Sequence, residues 1–404
     1  MGSRHSALTL VLSICVFTST AVFAANSTKL IYSFGGGSDG EYTDTELVVD
    51  RAGNLYGTSV QGGMFGGGTV FQVTPAGVHT VLYNFTGGAD GGEPYKGVTL
   101  DAEGNLYGTA VTGGGGSCEG GCGVVYKLAN SGGTWTQTVI HTFTGADGSG
   151  PGSPVSFDSR GNLYGTAPTG GANGMGTLYR MSPDGLGGWT FRIIHTFTGG
   201  ADGGGGAAGR LLIDAGGNLY GVCTVGGVNG FGTVFKMSAS QGQWHFTTLY
   251  AFRDQPDGAL PYGGLVFDKF GNLYGTTYYA GANDVGTIYK LTHNNGTWTE
   301  SVLYSFKGGA DGASPISSLV ADAAGNFYGT TSDGGASACS CGVIFKIAHA
   351  STGGWTESVL YRFPGKPNPG FAYNGLVRDA AGNLYGATVH GGTGNDGAIY
   401  ELQP

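Results

Sequence analysis

Short apolar runs alternate with glycine-rich polar stretches along almost the whole chain. Thr69–Val73 reads Thr-Val-Phe-Gln-Val, and residues 302–306 read Val-Leu-Tyr-Ser-Phe. Runs of about five residues, rich in β-branched and aromatic side chains and bounded by Gly, Asp and Asn, predict strands rather than helices. The pattern recurs. The string Gly-Asn-(Leu/Phe)-Tyr-Gly places its Asn at Asn54, Asn105, Asn162, Asn218, Asn272, Asn326 and Asn383, at steps of about 51–57 residues. Each unit predicts four strands. The first ends in an Asp (Asp50, Asp101, Asp158, Asp214, Asp268, Asp322, Asp379) and turns through Asp-x-x-Gly-Asn into the second, Asn-Leu-Tyr-Gly-Thr. A Gly-rich loop leads to the third (Thr69–Val73 and its copies, the last Ala398–Leu402), and a segment like Val-Leu-Tyr-Ser-Phe is the fourth.

The repeat has seven second strands, but the chain ends at Pro404 directly after a third. The fourth-strand segment missing from the end is found at the other terminus, as Leu-Ile-Tyr-Ser-Phe at 30–34. An N-terminal strand that completes the last unit closes a ring and protects its sheet edges. The expected fold is therefore all-β: a seven-bladed β-propeller of four antiparallel strands per blade, a single domain over 25–404 and a monomer. An open solenoid would need polar capping repeats instead.

Composition supports this and narrows the function. Gly accounts for 84 of 404 residues and aromatics for 12%, which excludes long helices and disorder; Gly never falls at every third position, which excludes collagen. The formal charge is −9, with no Lys/Arg cluster, which argues against nucleic acid or an anionic membrane as partner. Arg4 and His5, an apolar run over 7–16 and a small-residue site ending at Ala24 predict a signal peptide over 1–24, hence a secreted, periplasmic or cell-surface protein. No other stretch is long and apolar enough for a membrane-spanning helix. Cysteines fit export: Cys118 with Cys122, and Cys339 with Cys341, each bracket the same loop in two copies and are expected as local disulfides, the Cys-Ser-Cys ring being the tighter. A zinc site made of all four would need copies that lie far apart on the ring. Cys223 reads as a free buried thiol.

Gly-Asn-Leu-Tyr-Gly-Thr, the Gly-Gly pair after it, Gly-Thr-Val-Phe-Lys and Leu-Tyr-Ser-Phe together resemble the GloVer-type tandem repeat of exported bacterial proteins. The resemblance covers essentially the whole chain after residue 24. It implies a β-propeller and export but brings no established activity or catalytic residues. Members often carry a surface anchor after the repeats; none is read here.

In a propeller the first strand lines the channel, loops 4–1 and 2–3 share one face, and turns 1–2 and 3–4 share the other. The 4–1 loops carry Asp39, Asp90, Asp147, Asp202, Asp257 and Asp311, with Asn368 in the seventh copy. A carboxylate ring invites calcium, but Asn keeps an Asx turn and loses the charge, so turn chemistry is the expectation and no cofactor is expected. The tryptophans before the fourth strands read as packing, and His141 and His195 within them as tolerated substitutes for the Tyr of other copies rather than ligands. A site with one function belongs where the copies differ. Just before the Gly-Gly pair, three consecutive blades carry Tyr279, Asp333 and His390, types that can bind a polar ligand or move a proton. At the mouth of the inner strands stand Asp44, Tyr95, Tyr262 and Tyr373, with Lys96 and Asn374 next in line, a set suited to stacking on sugar rings and bonding hydroxyls. No enzyme motif is present, although Asp44 and Glu46 near the mouth leave paired-carboxylate glycoside chemistry open. The readings are an exported non-catalytic propeller that binds polysaccharide or another exported protein through its long-loop face, a carbohydrate-active hydrolase or lyase, and a structural surface or matrix protein.

Overall fold

A computed structural model describes residues 28–205, 209–335, 339–351 and 353–404. The predicted signal peptide and Ala208, which belongs to the inner-strand mouth series, lie outside them. Among the described residues the strands form seven antiparallel sheets, six of four strands and one of four plus a short extra strand, Ala313–Pro315. The chain is a seven-bladed β-propeller. In blade 1 the order outward from the axis is Val48–Val49, Leu55–Ser59, Thr69–Val73 and His79–Asn84. Blade 7 takes Val377–Arg378, Leu384–Thr388 and Ala398–Leu402 from the end of the chain and Thr28–Ser33 from its beginning. The closing register pairs Thr28 with Leu402, Leu30 with Tyr400 and Ser33 with Ala398, and the amide of Phe34 continues it by donating to the carbonyl of Gly397 at 3.0 Å.

The core lies between blades. Tyr56, Val70 and Phe85 of blade 1 pack on Val98, Leu106, Val124, Tyr126 and Leu128 of blade 2, and equivalent clusters recur around the ring. The second-strand glycine makes this packing fit: a Cβ on Gly165 would come within 2.3 Å of the Tyr179 hydroxyl oxygen, and one on Gly275 within 2.5 Å of that of Tyr289. Each outer strand carries a bulge, as where Phe71 pairs with Val81 but Val70 with Tyr83, which adds local twist.

Strand limits differ from the sequence reading at the outer hairpins. Third strands expected to stop at Leu128, Met237 and Leu291 run on to Ser131, Ser240 and Asn294, and the fourth strands start correspondingly earlier. Two-residue turns with both residues at positive φ join them: Gly132-Gly133, Gln241-Gly242 and Asn295-Gly296. These match the strand twist and extend the ladder. Trp135, Trp244 and Trp298 sit in these extensions; Trp244 lies edge-on 5.9 Å from Tyr164 of the preceding blade, and Trp189, on the longer-turned hairpin of blade 3, lies edge-on 5.9 Å from Tyr107.

The repeated acids make local networks. Asp158 accepts from the amides of Arg160 and Asn162, the Asn162 side chain and the Tyr164 hydroxyl at 2.7–3.1 Å. In the 4–1 loop, Asp90 accepts from the Tyr83 hydroxyl at 3.0 Å and the Thr86 amide at 2.9 Å. His141 and His195 occupy the Tyr83 position and reach Asp147 and Asp202 at 3.0 Å through Nε2. Among the described residues no three His, Cys, Asp or Glu side chains gather as a metal cluster, and no helix is long and apolar enough to cross a membrane.

Candidate functional site at the channel mouth

Inner strands of a propeller converge on the axis, so residues just ahead of them ring the mouth of the channel. Here that ring is polar and aromatic along one arc. Lys96 of blade 2 donates from Nζ to Asp44 Oδ1 of blade 1 at 2.7 Å and to Asn374 Oδ1 of blade 7 at 3.1 Å. Lys96 sits at φ 61°, a left-handed conformation rare outside glycine, which marks a backbone held by its surroundings. Asn374 is 2% exposed. Because Lys96 can only donate, Asn374 must turn Oδ1 toward it, which leaves its Nδ2 buried without a partner.

Tyr95, Tyr262 and Tyr373 flank this cluster. Burial and then the Asp44 and Glu93 charges raise the phenol pKa of Tyr95. Burial and then Asp333, Tyr278 and Asp44 raise that of Tyr373. Both remain neutral hydroxyls able to donate at neutral pH. Tyr262 meets Tyr278 edge-on at 5.6 Å, and Tyr278 meets Tyr279 at 4.6 Å. A depression of about 260 Å³ lies here, lined by Lys96, Tyr262, Ile316, Tyr373 and Asn374 among others.

One ring layer deeper the copies also differ. Where the other described blades have Gly97, Pro154, Gly264, Ser318 and Gly375, blade 1 has Glu46 and blade 4 has Arg210. Arg210 Nε lies 3.6 Å from Glu46 Oε2, and its terminal nitrogens donate to the carbonyls of Val155 at 2.9 Å and Val98 at 3.4 Å. One side chain thus ties blade 4 to blades 1, 2 and 3. Gly97 lets the backbones of blades 1 and 2 approach closely beside this contact; a Cβ there would stand 2.2 Å from the Glu46 carbonyl oxygen.

The three loop positions singled out by sequence separate. Asp333 ends the strand Phe327–Asp333, and burial first and then its charge raise the phenols of Tyr278 and Tyr373. Tyr279, 49% exposed, is one residue beyond Tyr278. His390 turns to a neighbouring cavity, edge-on to Tyr42 at 5.4 Å and Phe371 at 5.7 Å. No hydrogen bond, ion pair or ring contact joins the three among the described residues. Tyr278 and Arg210 were missed from sequence, although both break the repeat: Val60, Val111, Pro168, Thr224, Ser332 and Val389 fill the Tyr278 position elsewhere.

The Gloeobacter/Verrucomicrobia repeat model matches residues 115–340 and 267–404, together more than half of the chain. The chain belongs to this repeat family. Its fold has distant relatives among solved structures. The extracellular domain assigned to a one-component system from B. thetaiotaomicron aligns with TM-score 0.56 and 10% identity over 91% of this chain. The chain spans only 39% of that protein's length. A Bacteroides uniformis protein assigned as a 6-phosphogluconolactonase aligns with TM-score 0.51 and 16% identity, over 82% of this chain and 88% of its own. A Lactobacillus plantarum protein gives 0.50 and 14%, over 87% and 99%. At these identities the likeness is one of fold. No curated protein matches the chain. For this repeat propeller, the residues that depart from the repeat therefore carry the functional argument.

Proposed function

We propose that this is an exported binding propeller whose long-loop face holds a carbohydrate chain across the channel mouth. The supporting observation is the juxtaposition of Tyr95 and Tyr373 with the Asp44–Lys96–Asn374 cluster, whose buried Asn374 Nδ2 lacks a partner. Tyrosine faces stack on the apolar faces of sugar rings, while a carboxylate, an ammonium and an amide bond ring hydroxyls. The paired carboxylates favour binding over hydrolysis. Glycoside cleavage needs one carboxylic acid kept protonated, yet Asp44 is ion-paired with Lys96 and Glu46 faces Arg210. The two disulfides suit an oxidising compartment.

The test is a glycan array with the protein lacking residues 1–24, followed by titration of any ligand found. Tyr373→Ala and Lys96→Ala are expected to weaken binding by about tenfold or more. Retention of no glycan would overturn the reading. Turnover of a polysaccharide, abolished by Asp44→Asn, would replace it with the hydrolase.

A further inference from the structure

The two disulfides occupy the same loop in blades 2 and 6 but differ in how they are built. Cys118 and Cys122 are four residues apart, and the positive φ angles within their loop fall on Gly120 and Gly121, where they cost little. Cys339 and Cys341 are two apart, so the ring closes over a single residue, and that residue, Ser340, is held at φ 52°. Its hydroxyl is tied down by accepting from the Gly334 amide at 2.8 Å. A loop this short gains little from restricting the unfolded chain, while a non-glycine residue in the left-handed region stores strain that opening the ring would release.

The sulfurs also border open space. Both cysteines line a cavity of about 550 Å³ together with Gly365, Lys366, Phe371 and His390. Gly365 permits this: a Cβ there would lie 2.9 Å from each sulfur. Cys341 is fully buried and Cys339 half-buried, so an incoming thiol meets the Cys339 sulfur first.

We propose that Cys339–Cys341 is a thiol-exchange site for small thiols, while Cys118–Cys122 is a structural staple. An external thiolate attacks Cys339 Sγ. A mixed disulfide forms, the Cys339–Cys341 bond breaks, and its electron pair leaves on Cys341 Sγ, which takes up the proton given up by the thiol. A second thiol attacks the mixed disulfide, releasing Cys339 as a thiol. Two small thiols become one disulfide, and one protein disulfide becomes two thiols.

Graded glutathione applied to the folded protein, with alkylation and peptide mass analysis, tests this. Cys339–Cys341 is expected to open at least about tenfold faster than Cys118–Cys122, and Ser340→Gly to slow that opening several-fold. With glutathione disulfide, Cys341→Ser is expected to form an adduct at Cys339, and Cys339→Ser none at the buried Cys341. Equal rates for the two pairs, opening only on unfolding, or a Cys341→Ser protein left unmodified would each overturn the assignment.

Discussion

At the residue scale, the recurrent polar side chains are structural acceptors, and their titration has a definite sign. Burial opposes ionisation of Asp50, Asp158, Asp214, Asp268, Asp322 and Asp379, but hydrogen bonds from the following Asn, the second-strand Tyr and the turn amides outweigh it and hold each carboxyl below its ordinary value. A group with a lowered folded-state pKa stabilises above its unfolded value and loses that contribution as pH falls through the folded one. Asp158→Ala, which leaves Asn162 and Tyr164 without their acceptor, should cost about 1–3 kcal/mol at pH 7 in urea unfolding. Glu300 and Glu357 behave oppositely. Each is pushed up to about 7, by burial first and then by the neighbouring Asp257 or Asp311. A raised folded-state pKa gives stability that is complete below the ordinary glutamate value and lost as pH rises through 7. Glu300→Gln and Glu357→Gln mimic the protonated form, so their gain in Tm over the parent should be small at pH 5 and largest at pH 8. The opposite trend would refute the assignment. The spacing of Asp from Asn revealed the Asx turn in sequence. The two glutamates escaped notice because what perturbs them is the 4–1 loop of the preceding blade, which only packing supplies.

At the scale of the strand, the second-strand glycine and the third-strand aromatic form one unit. Tyr126, Tyr179, Tyr289 and Tyr400 bury their hydroxyls over that glycine without a partner, whereas Phe71, Phe235 and Phe345 fill the same place in other blades. Tyr179→Phe removes an unsatisfied buried hydroxyl and should leave Tm unchanged or raised. Gly165→Ala puts a methyl where the tyrosine oxygen stands and should cost about 1–3 kcal/mol by denaturant titration. Strand type was legible because alternation and β-branched runs report the local period. Strand ends were not, because the outer hairpins lengthen only when a two-residue turn such as Asn295-Gly296 lets the ladder continue past the apolar run.

Across the whole molecule, closure and the channel hold the ring together. Deleting residues 25–34 would strip Ala398–Leu402 of its partner and expose a paired edge. The truncated protein should melt earlier and self-associate, read by size-exclusion chromatography across concentrations. Arg210→Ala unties blade 4 from blades 1–3 and leaves Glu46 without its cation; it should lower stability by about 1–3 kcal/mol, while Arg160→Ala, an exposed change on the opposite face, serves as control.

The repeat itself determined the blade number, the strand order and the closing partner, because a period of about 54 residues with a displaced fourth strand admits one tidy ring. It also marked Asp44, Lys96, Tyr373 and Asn374 as departures from symmetry. What it could not decide was which departures meet. Tyr279, Asp333 and His390 share a repeat position, yet Asp333 closes the strand Phe327–Asp333 while Tyr278 and Tyr279 follow the end of Leu273–Thr277. The charge of Asp333 acts on Tyr278 and Tyr373, while His390 serves a different cavity. Arg210 and Glu46 lie in distant repeats and come together only across the axis, a distance that no local pattern encodes.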